Sequence, residues 1–471
     1  MTKLQTAVLD DTRLYWCNEQ GSLTWATIIS PIWASLLCEL GLEYNLHTIW
    51  VLPGSEASNR VNSDNIMLDS IQEYDVRLKK NEQGVPTFGS VKRNQGTWDE
   101  KRLVYFGFPE HDSKWMTDSE EWALADVENP IELLDIILST EMALSPCRTI
   151  KGHVESEPFY LAYSPGWSGM DILKKTLKLY NHVDWMKPAD LSMLPNVSEP
   201  GGFLWKRPLA PGVDRGWKYI HFYDRNSQYP AAATGAECGE GTPDYFPPNL
   251  IHRTNLKLPG VWKIRTFPPE ANNLGLLPSL PIGEVWAYSL TIQAYEALGY
   301  SVEFIEGYQW PVHHRTLQDW AKHCWEARQE LKRTYGKNSP QEHLSKMITN
   351  RGLGWLDLGA VRQEQRTSEP THRPDWYNLI RSLARYRLVL KLLELAKLGH
   401  YPVMIVADNI AYVSDDPNPE TAIPGLMRRS TELGGFKSDG TYLLEQVLPF
   451  LDSLDPNAIR KEVKKLAKVG E

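Results

Sequence analysis

The chain has 471 residues, 42% of them hydrophobic and 23% charged, a balance that suits two or three folded domains and excludes bulk disorder. A formal net charge of -9 excludes a surface that is basic throughout, yet one basic channel remains compatible with it, because phosphate contacts depend on local charge. Cys17, Cys38, Cys147, Cys238 and Cys324 are scattered and never spaced as CxxC, which argues against a disulfide framework or a zinc site.

The opening residues MTKLQTAVLDD lack the apolar run of a signal peptide, and no stretch approaches the roughly 20 apolar residues of a membrane helix. A cytoplasmic protein (host cytoplasm, if viral) with no membrane partner is therefore expected. Residues 6–17 and 22–29 read as strands around a turn at Glu19-Gln20-Gly21, followed by a helix from Pro31 to Leu40 and a buried strand from Thr48 to Leu52. Residues 54–115 are polar and turn-rich, whereas 117–145 and 170–181 have helical periodicity. Pro and Gly between Pro188 and Pro211 mark the expected domain boundary. Beyond it, strands are predicted at 218–224, 260–266 and 302–308, and helices at 316–335 and 341–350. A long helix over 375–398, carrying Arg381, Arg385, Arg387, Lys391 and Lys397, leads to a hairpin, VMIVAD then IAYVS, and a short basic helix ends the chain.

Three segments carry chemistry. The first is Tyr223-Asp224-Arg225-Asn226-Ser227-Gln228-Tyr229-Pro230-Ala231, where an Asp ends an apolar strand and a Tyr follows a helical turn later. Alone, it also reads as an Asp-capped turn. The second is Arg328-x-x-x-Lys332 followed by Lys346-Met347-Ile348-Thr349-Asn350-Arg351-Gly352-Leu353-Gly354; a spacing of four puts Arg328 and Lys332 on one helix face. Alone, it also reads as a solvated helix surface. The third is the hairpin VMIVADNIAYV, with Asp408 at its turn. Nucleotidyl transfer needs this set of groups: carboxylates on rigid strands to hold hard divalent cations, and basic groups to bind a triphosphate.

Together the segments resemble the palm and fingers of family B DNA polymerases, and the first is similar to the variant found in the protein-primed enzymes of phages and linear plasmids. The first matches D-x-x-S-L-Y-P, and Gly241-Thr242-Pro243 stands where those enzymes carry G-x-P. The second resembles R-x-x-x-K with K-x-x-x-N-S-x-Y-G, departing at Arg351, Gly352 and Leu353. The third resembles Y-x-D-T-D-S but has one Asp where the family has two. In one register Ile410 replaces the second Asp; in the other Asp408 is that second Asp, Asn409 the Ser and Val406 the replaced residue. The second register, which keeps two carboxylates, is preferred. Leu433-Gly434-Gly435-Phe436-Lys437 resembles the segment that follows the third motif, and Gly440-Thr441-Tyr442 has the Tyr of the family's K-x-Y but not its Lys.

The resemblance implies an α+β fold: a polymerase right hand with an antiparallel-sheet palm and helical fingers, behind an α/β N-terminal domain. The expected domains are 1–200, N-terminal; 201–310, first part of the palm; 311–360, fingers; 361–440, second part of the palm; and 441–471, a short thumb-like tail. It also implies that Asp224 and Asp408 are catalytic and bind two Mg2+ or Mn2+ ions. Arg328, Lys332, Lys346, Asn350, Tyr229 and Ser227 would bind the nucleotide. The implied partners are template-primer DNA, deoxynucleoside triphosphates and a terminal or priming protein. Two functions follow: a DNA polymerase of a phage, plasmid or mobile element, or a catalytically inactive polymerase-like protein that binds DNA or a replication partner. Family members of this type carry an RNase H-like exonuclease before the palm. Here the first strand offers Asp10-Asp11 and no D-x-E, and Ser164-Pro165-Gly166-Trp167-Ser168-Gly169-Met170-Asp171 resembles the second exonuclease motif without its Asn. The carboxylates of a two-metal exonuclease cannot be assembled, so a decayed exonuclease or an unrelated binding domain is expected.

Overall fold

The structure, a computed structural model, describes residues 5–10, 13–17, 22–27, 34–44, 46–52, 74–80, 86–93, 104–107, 127–150, 153–162, 165–186, 190–214, 216–253, 255–269, 275–357 and 372–469. Asp11 and Ser164, which bear on the exonuclease comparison, lie outside these residues. The chain divides into two compact units, Met1–Asn181 with Glu326–Trp355, and His182–Trp325 with Leu356–Glu471. All five cysteines are free. Among the described residues no helix is long and apolar enough to cross a membrane.

The first unit is built on a seven-stranded sheet. Strands β1 (Gln5–Leu9), β2 (Arg13–Cys17) and β3 (Leu23–Thr27) form an antiparallel meander, and helix α1 (Ala34–Glu43) leads into β4 (Leu46–Val51), parallel to β1. Strands β5 (Tyr74–Lys80), β6 (Pro86–Arg93) and β7 (Val104–Gly107) complete the order β3-β2-β1-β4-β7-β6-β5, with β7 parallel to β4. Ala7, Leu9, Leu14, Trp16, Ile49 and Val51 bury one core with Leu37 and Cys38 of α1. Asp10 organises the first turn: its carboxylate accepts the Arg13 backbone N–H at 2.7 Å and the Tyr15 hydroxyl at 3.1 Å.

Helix α2 (Pro130–Leu144) lies within the span 117–145 expected as helical, of which 117–126 lie outside the described residues. Pro130 takes the first helical position, and the Asn129 side chain accepts the N–H groups of Ile131 and Glu132 at 2.9 and 3.2 Å. A small ribbon, β8 (Cys147–Ile150) with β9 (His153–Ser156), precedes α3 (Pro165–Leu179).

The second unit holds an antiparallel sheet of β10 (Phe203–Lys206), β11 (Tyr219–Arg225), β18 (Met404–Ala407), β19 (Asn409–Ser414) and β20 (Phe436–Leu443), in the order β10-β18-β19-β11-β20. After β11 come α4 (Gln228–Ala233), β12 (Cys238–Gly239), β13 (Asp244–Phe246), β14 (Gly260–Phe267), β15 (Gly283–Tyr288), α5 (Ser289–Ala297), β16 (Ser301–Gln309) and β17 (His313–His314). Strands β13, β16, β14 and β15 make a second antiparallel sheet, in that order, and β12 pairs with β17. The sequence reading missed β15 and α5.

Two helices follow, α6 (Gln318–Tyr335) and α7 (Pro340–Trp355), then α8 (Pro374–Lys397). The last part of α6 and all of α7 belong to the first unit. There α7 crosses α3 at closest backbone approach: a Cβ at Gly169 would sit 2.6 Å from the Cα of Gly352. Gly352, which departs from the family pattern, has that packing role. After the β18–β19 hairpin come α9 (Pro419–Ala422), β20, α10 (Leu444–Ser453) and α11 (Pro456–Val463).

Strand alternation gives the five-stranded sheet two different faces. Tyr223, Ile405, Ile410 and Tyr412 bury one core with Trp262, Leu388 and Leu392. Ile220, Phe222, Met404, Val406, Ala411 and Val413 bury the other with Leu444, Val447, Ile459 and Val463. The residues after β20, expected as a thumb-like tail, thus cover the second face.

Candidate active site

Asp224 lies near the end of β11, where Tyr223 is paired with Ile410 of β19. It follows Phe222 by two, so alternation turns it to the face covered by α10 and α11. In the hairpin, Val406 pairs with Asn409, leaving Ala407 and Asp408 as the turn. Paired residues share a face, so Asn409 lies on the Asp224 face and Ile410 on the opposite one. Asp408 thus occupies the turn and Asn409 the first position of β19. Ala407 has φ of 56°, a left-handed conformation that strains any residue with a Cβ.

The electrostatics tie the two Asp residues together. Burial and the negative charge of Asp224 push the Asp408 carboxyl up to about 7, against the opposing pull of Arg460 and Arg225. Arg225 in turn is pushed down to about 10 by burial and by Arg387. Asp224 faces Lys437 Nζ at 3.4 Å and Arg460 Nη2 at 3.9 Å. The same Arg460 nitrogen is 3.5 Å from Asp439, whose carboxylate also accepts the Asn409 side-chain N–H at 3.1 Å.

Asp439 and Arg460 stand beside Asp224 without being singled out by the sequence motifs, whereas Asn409 is the residue matched to the Ser of the third motif. Phe222 pairs with Gly440 and Tyr223 with Ser438, so Asp439 is the extra residue of a β-bulge, a device that re-aims a side chain. No local pattern announces such a bulge.

The turn after Asp224 is clipped to the segment at 433–437. Asn226 N–H donates to Gly435 O at 2.8 Å, Gly434 N–H donates to Asn226 O at 2.8 Å, and Arg225 Nε donates to Gly434 O at 2.8 Å. Gly434 has φ of 79°, which explains a glycine there. Ser227 is left-handed at φ 46° and half-buried.

The Pro- and Gly-rich stretch expected as a domain boundary is part of this site. A Cβ at Gly201 would lie 2.0 Å from the Tyr229 hydroxyl, and one at Gly202 would lie 2.3 Å from Ala407 O. Gln228 Nε2 also donates to Gly201 O at 2.8 Å. Burial raises the half-buried Tyr229 phenol, with Arg381 opposing and Asp408 adding.

Of the basic residues on α8, Arg385 is buried in an ion pair with Glu199, and Arg387 donates to Ala231 O at 2.7 Å. Both are committed to the fold.

The expected triphosphate clamp lies on the helices grouped with the first unit. Arg328 Nε donates to Glu342 at 2.7 Å, and the buried Glu342 also accepts the Asn338 N–H at 3.1 Å. Burial raises the Glu342 carboxyl, but the Arg328 charge and these bonds outweigh it and hold it below the usual range. Lys332, Lys346 and Asn350 are exposed.

Among the described residues no group of three His, Cys, Asp or Glu side chains forms a ready metal cage. Asp224 and Asp408 offer hard oxygens of the type a hard cation takes, and the buried Asn409 Oδ1 has no hydrogen-bond partner. Like-charge pressure on Asp408 is the condition that a bound cation relieves.

No family model and no curated protein matches the sequence. Solved structures do. Phi29 DNA polymerase, complexed with primer-template DNA and incoming nucleotide substrates, aligns over 94% of this chain and 85% of its own, with a TM-score of 0.53 and 12% identity. The orthorhombic form of phi29 DNA polymerase aligns over 93% and 85%, with a TM-score of 0.51 and 10% identity. The fold resembles that of a DNA polymerase. At such identity the likeness concerns the fold alone.

Proposed function

We propose that the chain is a template-directed DNA polymerase that transfers deoxynucleotides to a primer 3′ hydroxyl, or to a hydroxyl of a priming protein, in the replication of a phage, plasmid or mobile element. The observation that carries this reading is the meeting of Asp224 and Asp408: they come from distant motifs, yet lie at one end of one antiparallel sheet, where Asp224 acts on the Asp408 carboxyl. The fold likeness to a polymerase solved with primer-template DNA supports the same reading.

Asp224 and Asp408 would hold magnesium or manganese. When bound, such ions supply Lewis acidity and neutralise charge on the transferring phosphate. Other residues of the chain bind the reactants. The clipped turn at Asn226–Gln228 offers backbone to the triphosphate, and Tyr229, backed by Gly201, screens the incoming sugar. Lys332, Lys346 and Asn350 contribute to binding the triphosphate, with Arg328 held in place by Glu342. The strand order of the first unit, with a β1–β3 meander beside parallel β4 and β7, supports an RNase H-like ancestry for that unit.

One observation favours the alternative, a catalytically inactive polymerase-like protein that binds DNA or a replication partner: Lys437 and Arg460 already face Asp224. Extension of a primed template with magnesium or manganese separates the two. The polymerase reading expects incorporation that Asp224→Ala and Asp408→Ala each abolish. DNA binding without incorporation by the unaltered chain establishes the alternative.

A further inference from the structure

Arg460 stands on α11, whose position the core fixes. Ile459, its neighbour, is fully buried, and Val463 one turn later is 3% exposed, both against the sheet face that carries Asp224. Asp455 caps the helix through the N–H groups of Asn457 and Ala458 at 2.9 and 3.1 Å. The preceding α10 is tied down by Lys206, whose ammonium donates to Leu451 O and Leu454 O at 2.6 Å. The guanidinium is therefore delivered to the carboxylates by a braced element.

Its contacts, 3.9 Å to Asp224 and 3.5 Å to Asp439, are longer than a strong charge-assisted hydrogen bond, and its Nε is buried without a partner. Charge holds it there rather than a fork of hydrogen bonds, so little directional bonding opposes its displacement. Beside it the buried Asn409 offers Oδ1 with no donor, while its amide N–H is spent on Asp439. An unsatisfied oxygen beside two carboxylates suits a cation with several coordination positions, which a guanidinium cannot supply.

We propose that Arg460 is a built-in counter-ion that occupies the cation position between Asp224 and Asp439, so that a divalent ion binds there only by displacing it. The inference rests on reading Asp224 as a cation-binding carboxylate, and it makes the C-terminal helix a lock on the site. Asp439, re-aimed by its bulge, becomes the second carboxylate of that position, next to Asn409.

The test is Mn2+ binding to the full chain, followed by the electron paramagnetic resonance signal of free Mn2+. Removing a unit positive charge this close to a carboxylate should tighten Mn2+ binding about tenfold or more in Arg460→Gln, while Arg460→Lys, which keeps the charge, should stay near the unaltered protein. Adding Asp224→Asn to Arg460→Gln should cancel the gain. A second measurement needs no variant. Saturating Mn2+ should raise the reactivity of Arg460 in the unaltered chain toward phenylglyoxal, read by mass spectrometry. Mn2+ affinity unchanged or weakened in a folded Arg460→Gln, or Arg460 reactivity indifferent to Mn2+, overturns the proposal. Tighter Mn2+ binding without nucleotide incorporation leaves it standing and counts against the polymerase reading alone.

Discussion

Replacing Asp408 by Asn probes whether Asp408 and Asp224 press on one another. The Asp408 carboxyl is pushed up to about 7 from 3.8, first by burial and then by Asp224. At about 1.4 kcal/mol per pH unit, a shift of roughly three units sets a ceiling of roughly 4 kcal/mol on the cost of ionising it. Asp224 is 23% exposed and Asp408 keeps some solvent contact, so screening brings the expected cost down to about 1–2 kcal/mol.

Below pH about 4 both the folded and the unfolded chain hold the proton, and the group leaves stability unchanged. Between about 4 and 7 the folded chain keeps a proton that the unfolded chain has released, so stability falls as pH rises. Above about 7 the full cost is present. Asp408→Asn should therefore stabilise the protein at pH 8 in chelator and do nothing, or slightly destabilise it, at pH 4.5. Urea unfolding at the two pH values, with and without magnesium, measures this. An equal effect at both pH values refutes the reasoning, because it removes any cost of ionising Asp408, whether from burial or from the charge of Asp224.

Two further substitutions test the close approaches. Gly202→Ala places a Cβ 2.3 Å from Ala407 O, so the hairpin tip that carries Asp408 must shift. Because a displacement of about 1 Å can cost about a hundredfold in rate, primer extension should fall by that order, and the clash with backbone should also cost about 1–3 kcal/mol of stability, read as a lower thermal midpoint. Gly169→Ala collides with the Gly352 backbone at 2.6 Å, where no side chain can rotate away, and should cost about 1–3 kcal/mol of stability in the first unit. Denaturant unfolding followed by Trp fluorescence, with Gly354→Ala as a control at an open position, measures that loss.

Much of the local structure was legible in the residues. The long α8, the α6–α7 helical pair and the hairpin around Asp408 follow from periodicity and punctuation, since these signals lie within a single element. The collinear motifs also single out Asp224 and Asp408. Strand β15 and helix α5 were missed because GEVWAY and SLTIQAYEA carry weak alternation and a weak apolar stripe, and their identity depends on partners in β14 and α8.

What tertiary structure alone decided is the company that Asp224 keeps. Strand β20, pairing with β11, brings Lys437 and a bulged Asp439, and α11 brings Arg460, all from sequence far beyond the first motif. The stretch from Pro200 to Gly202 reads as a linker by composition, yet its missing side chains let backbone reach Tyr229 and Ala407. Spacing along the chain specifies which face of an element a residue occupies. Which charges then meet across that face depends on strand order and on a one-residue bulge, and no local pattern encodes either.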